Sequence, residues 1–190
     1  QTDKYTVFTI PNGWYEIAPL ANENMRLDVD DSKEGNGVNI KLFTRNGHTA
    51  QRFYVRNLGN GYFTMQTGCN GYVDLKYGET GNGTNIWQYE KEAANGKCQK
   101  FRAIRRNNES GVYIEPMIKQ GLAITCVNHS AAPQTNIVIW TRENSNYQKW
   151  KFIQTGAVML PVNVKEGLYS IQPMCAPNTE LTVSGASKNL

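Results

Sequence analysis

Gln51-Arg52-Phe53 returns as Gln99-Lys100-Phe101 and again as Gln148-Lys149-Trp150, at spacings of 48 and 49 residues. Each copy closes a segment with the same internal order. Glycine followed by aromatic residues comes first, in Gly13-Trp14-Tyr15, Gly61-Tyr62-Phe63 and, more loosely, Gly111-Val112-Tyr113. A short apolar strand follows: Arg26-Leu27-Asp28-Val29, Tyr72-Val73-Asp74-Leu75 and Ala123-Ile124-Thr125-Cys126. Asn-Ile then opens an alternating stretch, Asn39-Ile40-Lys41-Leu42-Phe43, Asn85-Ile86-Trp87-Gln88-Tyr89 and Asn136-Ile137-Val138-Ile139-Trp140. Landmarks in fixed order at a near-constant period mark a structural repeat, here 13–58, 61–106 and 111–154.

Outward from these motifs the chain reads as all-β. Asn-Gly pairs such as Asn36-Gly37, Asn60-Gly61 and Asn82-Gly83 favour tight hairpin turns. No long run at helical period lies between them. Each repeat therefore predicts four strands, the outer two opening and closing it and the inner two forming a hairpin. A lead-in strand is expected over Tyr5–Ile10. Three such units cannot each bury a face alone. A closed barrel of six outer strands, capped by three hairpins, gives them one core and removes the exposed edges.

Composition narrows the function. No apolar stretch reaches membrane-spanning length, so no membrane insertion is expected. The net charge of +4 comes from interspersed acids and bases. The densest basic stretch, Lys97 to Arg106, alternates between strand faces and reads as solvated surface rather than a nucleic-acid patch. The four cysteines form no CxxC pair and only two histidines are present, which argues against zinc and leaves no cofactor indicated. His48 and His129 stand alone without a nucleophile motif, and no carboxylate pair reads as a glycosidase pair, so no enzyme is expected. The chain opens at Gln1 with no charged-then-apolar leader, consistent with a removed signal peptide or a start inside a longer protein. Low charge, high Asn and Gly, and exposed aromatics favour a secreted, extracellular setting; the sequons at Asn82, Asn108 and Asn128 also arise by chance in a chain this rich in Asn, Ser and Thr and matter only in a eukaryotic secretory pathway.

With these motifs the chain resembles the ricin B-type lectin domain, a β-trefoil named for three Gln-x-Trp repeats. The resemblance covers residues 13–153. It implies that Phe53, Phe101 and Trp150 pack in the shared core. Replacing a fully buried aromatic by Ala costs about 3–5 kcal/mol, against total stabilities of about 5–15 kcal/mol, so Trp150→Ala should damage folding and not only binding.

Strict alternation in the Asn-Ile stretches turns Ile40, Leu42, Ile86, Ile137 and Ile139 to one side and Phe43, Tyr89 and Trp140 to the other. A sugar offers an apolar C–H face to an aromatic ring and hydroxyls to a carboxylate. The resemblance carries sugar pockets onto the same residues: Asp28, Lys41, Phe43 and Gln51 in the first repeat, Asp74, Trp87, Tyr89 and Gln99 in the second, Trp140 and Gln148 in the third. Thr125 stands where the third Asp belongs. The Asn that the family carries before each Gln is Ala50, Cys98 or Tyr147 here. Loss of a hydrogen bond to a charged group costs about 1.5–3 kcal/mol, and a millimolar site has only about 4 kcal/mol to lose. The third pocket is therefore expected to be silent, and the first two weak or altered in specificity. Other readings stand beside these. Phe43 and Tyr89 also suit cross-strand packing, Asp28 and Asp74 turn hydrogen bonds, and Trp87 a platform, a rim or packing. The three Gln residues are expected to tie loop to core first and to touch ligand second.

The resemblance implies a non-catalytic carbohydrate-binding module, tethering a longer secreted protein to glycans of galactose or xylose type. The alternative is a protein-interaction or spacer trefoil that has lost the sugar. Because a trefoil sets the first and fourth strands of a repeat side by side, Cys69 and Cys98 are expected to form a disulfide worth on the order of 3 kcal/mol. Cys126 is expected to be buried and reduced. Residues 167–183 match 13–29 without a gap, at an offset of 154. This predicts a trefoil over 1–155, a linker over 156–166 and the truncated first repeat of a second trefoil over 167–190. Thr182 replaces the pocket Asp in that copy, and its unpaired edges could support self-association.

Overall fold

Strands form where apolar residues alternate, and the three repeats fold alike. The computed structural model describes residues 5–106 and 109–156. β1 (Tyr5–Phe8) leads in. The first repeat holds β2 (Gly13–Pro19), β3 (Met25–Val29), β4 (Val38–Thr44) and β5 (Phe53–Gly59). The second holds β6 (Tyr62–Thr67), β7 (Tyr72–Leu75), β8 (Ile86–Tyr89) and β9 (Phe101–Arg106). The third holds β10 (Tyr113–Pro116), β11 (Leu122–Cys126), β12 (Ile137–Thr141) and β13 (Trp150–Gln154).

The outer strands form a ring. β13 pairs with β2, β2 with β5, β5 with β6, β6 with β9 and β9 with β10. A bridge between Val112 and Trp150 joins the two ends of the third repeat. The inner strands pair as hairpins β3–β4, β7–β8 and β11–β12. This is the β-trefoil. β1 adds to it by pairing with β9 at residues 103–106, in line with β6, which pairs at Arg102 and Phe101. The lead-in strand is shorter than expected: it stops at Phe8, ahead of Pro11, although Ile10 is buried in the core.

Phe53, Phe101 and Trp150 lie wholly inside, together with Ile40, Leu42, Ile137 and Ile139. The Trp150 indole also spends its one polar group, donating to Ile124 O at 2.9 Å. Two acids are buried in the barrel wall because each is matched by guanidinium groups. Glu16 accepts from Arg26 at 2.8 Å and Arg45 at 3.1 Å, and Glu115 pairs with Arg102 and Arg142. Burial alone would raise the Glu16 pKa; the two arginines more than offset it and hold the group below the usual range.

The Asn that opens each alternating stretch has a shared destination. Asn39 Nδ2 donates to Asn136 Oδ1 at 2.9 Å, Asn136 Nδ2 to Asn85 Oδ1 at 2.8 Å, and Asn85 Nδ2 to Asn39 Oδ1 at 2.9 Å. The three amides close a ring where the hairpins meet. Backbone pairing flanks it: β4 with β8 at Asn39–Trp87, and bridges Lys41–Asn136 and Asn85–Val138.

The expected Cys69–Cys98 disulfide is absent; both thiols are free. β6 and β9 are indeed neighbours, but only at the start of β6, at Tyr62 and Phe63. Cys69 lies beyond its far end, in a turn that packs on the first repeat. There Gly68 N donates to Arg52 O at 2.8 Å, and a side chain at Gly68 would strike the Thr49 carbonyl. Cys98 belongs to a different junction, against Gly78 and just ahead of Lys100, whose carbonyl accepts from Met117 N of the third repeat. Strand adjacency at one end did not extend to the other. Burial pushes the Cys69 thiol up to about 11 and the Cys126 thiol up to about 12, so both stay protonated at neutral pH, and Cys126 is buried and free. The fourth repeat from Gly167, and the linker ahead of it beyond Gly156, lie outside the described residues.

The amide ring should behave as a unit. Asn39→Ala is expected to cost about 1–2 kcal/mol, since it removes two hydrogen bonds from a half-buried cluster. Adding Asn85→Ala should cost less than it does alone, because the ring is already open. A urea-unfolding double-mutant cycle that gave simple additivity would show that the three amides act independently.

Candidate functional site

Hairpin register builds one pocket per repeat. Across β3–β4 Asp28 faces Lys41, across β7–β8 Asp74 faces Trp87, and across β11–β12 Thr125 faces Val138. Two residues further along the second strand of each hairpin stand Phe43, Tyr89 and Trp140. The face expected outward is only partly so: Lys41 and Val138 are buried, Phe43 and Tyr89 half-buried, and Trp140 exposed. Lys41 and Val138 are covered because their strands lie against neighbouring hairpins at the amide ring.

A buried glutamine holds each pocket from behind. Gln51 Nε2 donates to Asp28 Oδ2 at 2.9 Å and to Thr44 O at 3.0 Å, while its Oε1 accepts from Asn46 N at 3.0 Å. Gln99 does the same with Asp74 Oδ2 at 3.0 Å, Glu90 O at 2.6 Å and Glu92 N at 3.0 Å. Gln148 meets the Thr125 hydroxyl at 3.1 Å, Thr141 O at 3.0 Å and Glu143 N at 2.7 Å. All three are at most 1% exposed. Their amides are engaged inside the protein, so the glutamines position the pocket residues.

The second pocket is the best furnished. Its cavity, about 390 Å³, is walled by Asp74, Tyr77, Trp87, Tyr89 and the 90–93 segment. Trp87 stacks on Tyr89 with centroids 5.6 Å apart, and Tyr77 meets Trp87 edge-on at 5.1 Å. The Lys76 ammonium sits 5.5 Å from the Trp87 ring centre. Trp87 Nε1 donates to Asp74 Oδ1 at 2.8 Å, so both Asp74 oxygens are already engaged within the protein. Burial raises the Asp74 pKa above the ordinary value, with the Trp87 and Gln99 hydrogen bonds pulling against it and Glu92 adding to it.

Tyr77 escaped the sequence reading. It is 76% exposed and holds a left-handed backbone, φ 55°. The corresponding turns carry Asp31 and Asn128, with φ 52° and 56°. Asp and Asn tolerate that conformation, whereas a bulky residue there is strained. The one available signal was an aromatic standing where the other repeats have Asp and Asn.

The first pocket, a cavity of about 450 Å³, gathers Asp28, Lys41, Phe43, Asn46, His48 and Gln134. Asp28 uses one oxygen on Gln51, and burial raises its pKa despite that bond and the nearby Lys41. Lys41 pairs with Asp30 and also lies 5.8 Å from the Phe43 ring centre. The third pocket is smaller, about 160 Å³. There the Thr125 hydroxyl donates to Ala123 O at 2.7 Å, and His129 bonds Glu143 at 2.6 Å beside exposed Trp140. The His129–Glu143 pair was also missed; His129 lies in the turn between β11 and β12, and Glu143 in the loop after β12.

Among the described residues, no group of three or more His, Cys, Asp or Glu could hold a metal ion, and no helix is long and apolar enough to cross a membrane.

Residues 2–89 match the family model described as ricin-type beta-trefoil lectin domain-like, a span that holds Asp28, Lys41, Phe43 and Gln51 of the first pocket and Asp74, Trp87 and Tyr89 of the second, and stops short of Gln99. The fold is the β-trefoil. Solved structures agree. The Rhizoctonia solani agglutinin is 18% identical, with a TM-score of 0.68 over 79% of this chain and 100% of its own. The Macrolepiota procera ricin B-like lectin in complex with lactose is 14% identical, with a TM-score of 0.65 over 78% of this chain and 100% of its own. An exo-β-1,3-galactanase from Clostridium thermocellum is 21% identical, with a TM-score of 0.68 over 78% of this chain and 31% of its own. At these identities the likeness establishes the β-trefoil fold alone. The search of curated proteins returns no match.

Burial raises the Asp74 pKa, and the Trp87 hydrogen bond opposes that rise. A folded-state pKa raised above the unfolded value gives stability that is present at low pH and is lost as pH rises through the folded pKa. Trp87→Phe removes a bond that favours the carboxylate, so the Asp74 pKa should rise further and the loss on going to neutral pH should grow. The variant is expected to be about 1.5–3 kcal/mol less stable than the parent at pH 7, with the gap narrowing as acid protonates Asp74. Carboxyl NMR titration with chemical unfolding at several pH values checks both; a pH-independent gap would contradict the assignment.

Proposed function

We propose that the chain is a non-catalytic carbohydrate-binding module whose principal site is the second pocket. The observation that carries this reading is the stacked Trp87–Tyr89 pair beside the Asp74 carboxylate. Rings of this kind cover the C–H face of a pyranose, and the remaining lone pairs of Asp74 accept hydroxyls at its edge. Lectins and a glycanase among the similar structures support carbohydrate as the ligand class. Sugars of galactose or xylose type are the first candidates, and the first pocket, with one Asp28 oxygen unengaged among the described residues, is a second and weaker site.

In this reading the module is secreted and tethers a longer protein to glycans, weak sites gaining strength by multivalency. A spacer or protein-interaction trefoil is the competing reading. The observations that favour it are Ala50, Cys98 and Tyr147 in place of the family Asn, and an Asp74 carboxylate already bonded at both oxygens.

Calorimetric titration with lactose and with xylo-oligosaccharides separates the two. Binding in the millimolar range is expected, weakened about tenfold or more in Asp74→Ala, which removes a charged hydrogen-bond partner. Tyr77→Asn should move two measurements in opposite directions. It relieves backbone strain, raising stability by about 1 kcal/mol, while it removes a wall of the pocket and lowers affinity. No binding of any sugar, together with a protein partner that free sugar cannot displace, would favour the spacer.

A further inference from the structure

The second pocket does not end at Tyr89. Across the β7–β8 hairpin Tyr89 is paired with Tyr72, and cross-strand partners stand about 5 Å apart on one face. Tyr72 borders a second cavity of about 390 Å³, which shares Lys91, Glu92, Ala93 and Gln99 with the first. The charge changes sign between the two. The aromatic cavity is bordered by Asp74, Glu90, Glu92 and Lys91, with the Lys76 ammonium beside Trp87, whereas the adjoining cavity is bordered by Arg56, Lys91 and Lys100.

The one carboxylate facing both, Glu92, is turned into its own loop. Its two oxygens accept from Cys98 N at 3.2 Å and Gln99 N at 3.1 Å. Lys100 is anchored on Ala94 O at 2.6 Å. Among the described residues, Arg56 and Lys91 are exposed and pair with no acid. Two uncommitted cations beside an anchored third, next to a pocket suited to a neutral sugar, form a place for an anion carried on the same ligand.

We infer that the second site is selective for acidic oligosaccharides, with a neutral residue over Trp87 and Tyr89 and an adjoining residue bearing a carboxylate or a sulfate against Arg56, Lys91 and Lys100. This rests on the sugar-binding reading of the second pocket. The anion is the shared chemistry, and sialylated and sulfated lactose represent its two sources.

Titrations with lactose, sialyllactose and sulfated lactose at low and high salt test it. At least one acidic ligand should bind about fivefold tighter than lactose at low ionic strength, and the advantage should vanish near 1 M salt, where screening reaches about 3 Å. The better of the two identifies the anion. Arg56→Ala should leave lactose affinity unchanged and reduce the acidic advantage; Arg56→Glu should reverse it. Lactose binding with no preference for either acidic ligand would overturn the inference and leave the sugar site standing. So would a preference untouched by Arg56→Glu. Failure of all three ligands to bind would instead remove the site reading on which it rests.

Discussion

A primary amide shut away from water must place two N–H groups and a carbonyl, and leaving any of them unpaired costs about 1–3 kcal/mol. In this trefoil Gln51, Gln99 and Gln148 meet that demand in the same way. One N–H goes to the carbonyl at the end of the hairpin strand or just past it, the carbonyl takes an N–H from the loop beyond, and the second N–H reaches the pocket residue on the opposite strand. Each glutamine thus joins the barrel strand that follows it, the loop and the pocket. Two residues later comes Phe53, Phe101 or Trp150, fully inside the core. The tripeptide is therefore one connected device, with an aromatic that anchors it and an amide that fixes a functional group about one strand away.

That division leaves the pockets free to differ. The amide needs only an acceptor, and Thr125 serves as well as Asp28 or Asp74. The residue facing it across the hairpin is unconstrained by the device, and it is Lys41, Trp87 or Val138. The amide ring of Asn39, Asn85 and Asn136 keeps the three hairpins in register regardless of what they display. Pseudo-symmetry thus resides in the buried polar groups, while chemical individuality resides in the residues around them.

The fold was legible because its requirements recur. The same Gly, Asn-Ile and Gln-x-aromatic positions appear in each repeat, and alternation alone assigned Ile40, Leu42, Ile86, Ile137 and Ile139 to the core. The amide ring was half visible. Its asparagines stood out as landmarks, but partners 46 to 97 positions apart cannot be matched from one strand's pattern. The Cys69–Cys98 pairing failed for a related reason, since neighbouring strands in a barrel diverge and each turn joins a different repeat. At the pocket, Asp74, Trp87 and Tyr89 were legible as polar and aromatic residues on one face. Tyr77 was not, because nothing in a tyrosine announces a left-handed backbone. The adjoining basic cavity was also hidden, being assembled from a barrel strand, a hairpin and a loop.

Tyr77 carries a consequence for timing. Its positive φ is a conformational cost incurred when the chain folds, and it is present in every molecule before any ligand arrives. With its backbone held at that angle and its ring edge-on against Trp87, the residue has part of its freedom already restricted. Some of the entropy that a mobile aromatic would surrender on binding has then already been given up. A pocket built this way gives up some thermodynamic stability in the empty protein for a surface that is ready when a ligand first collides with it.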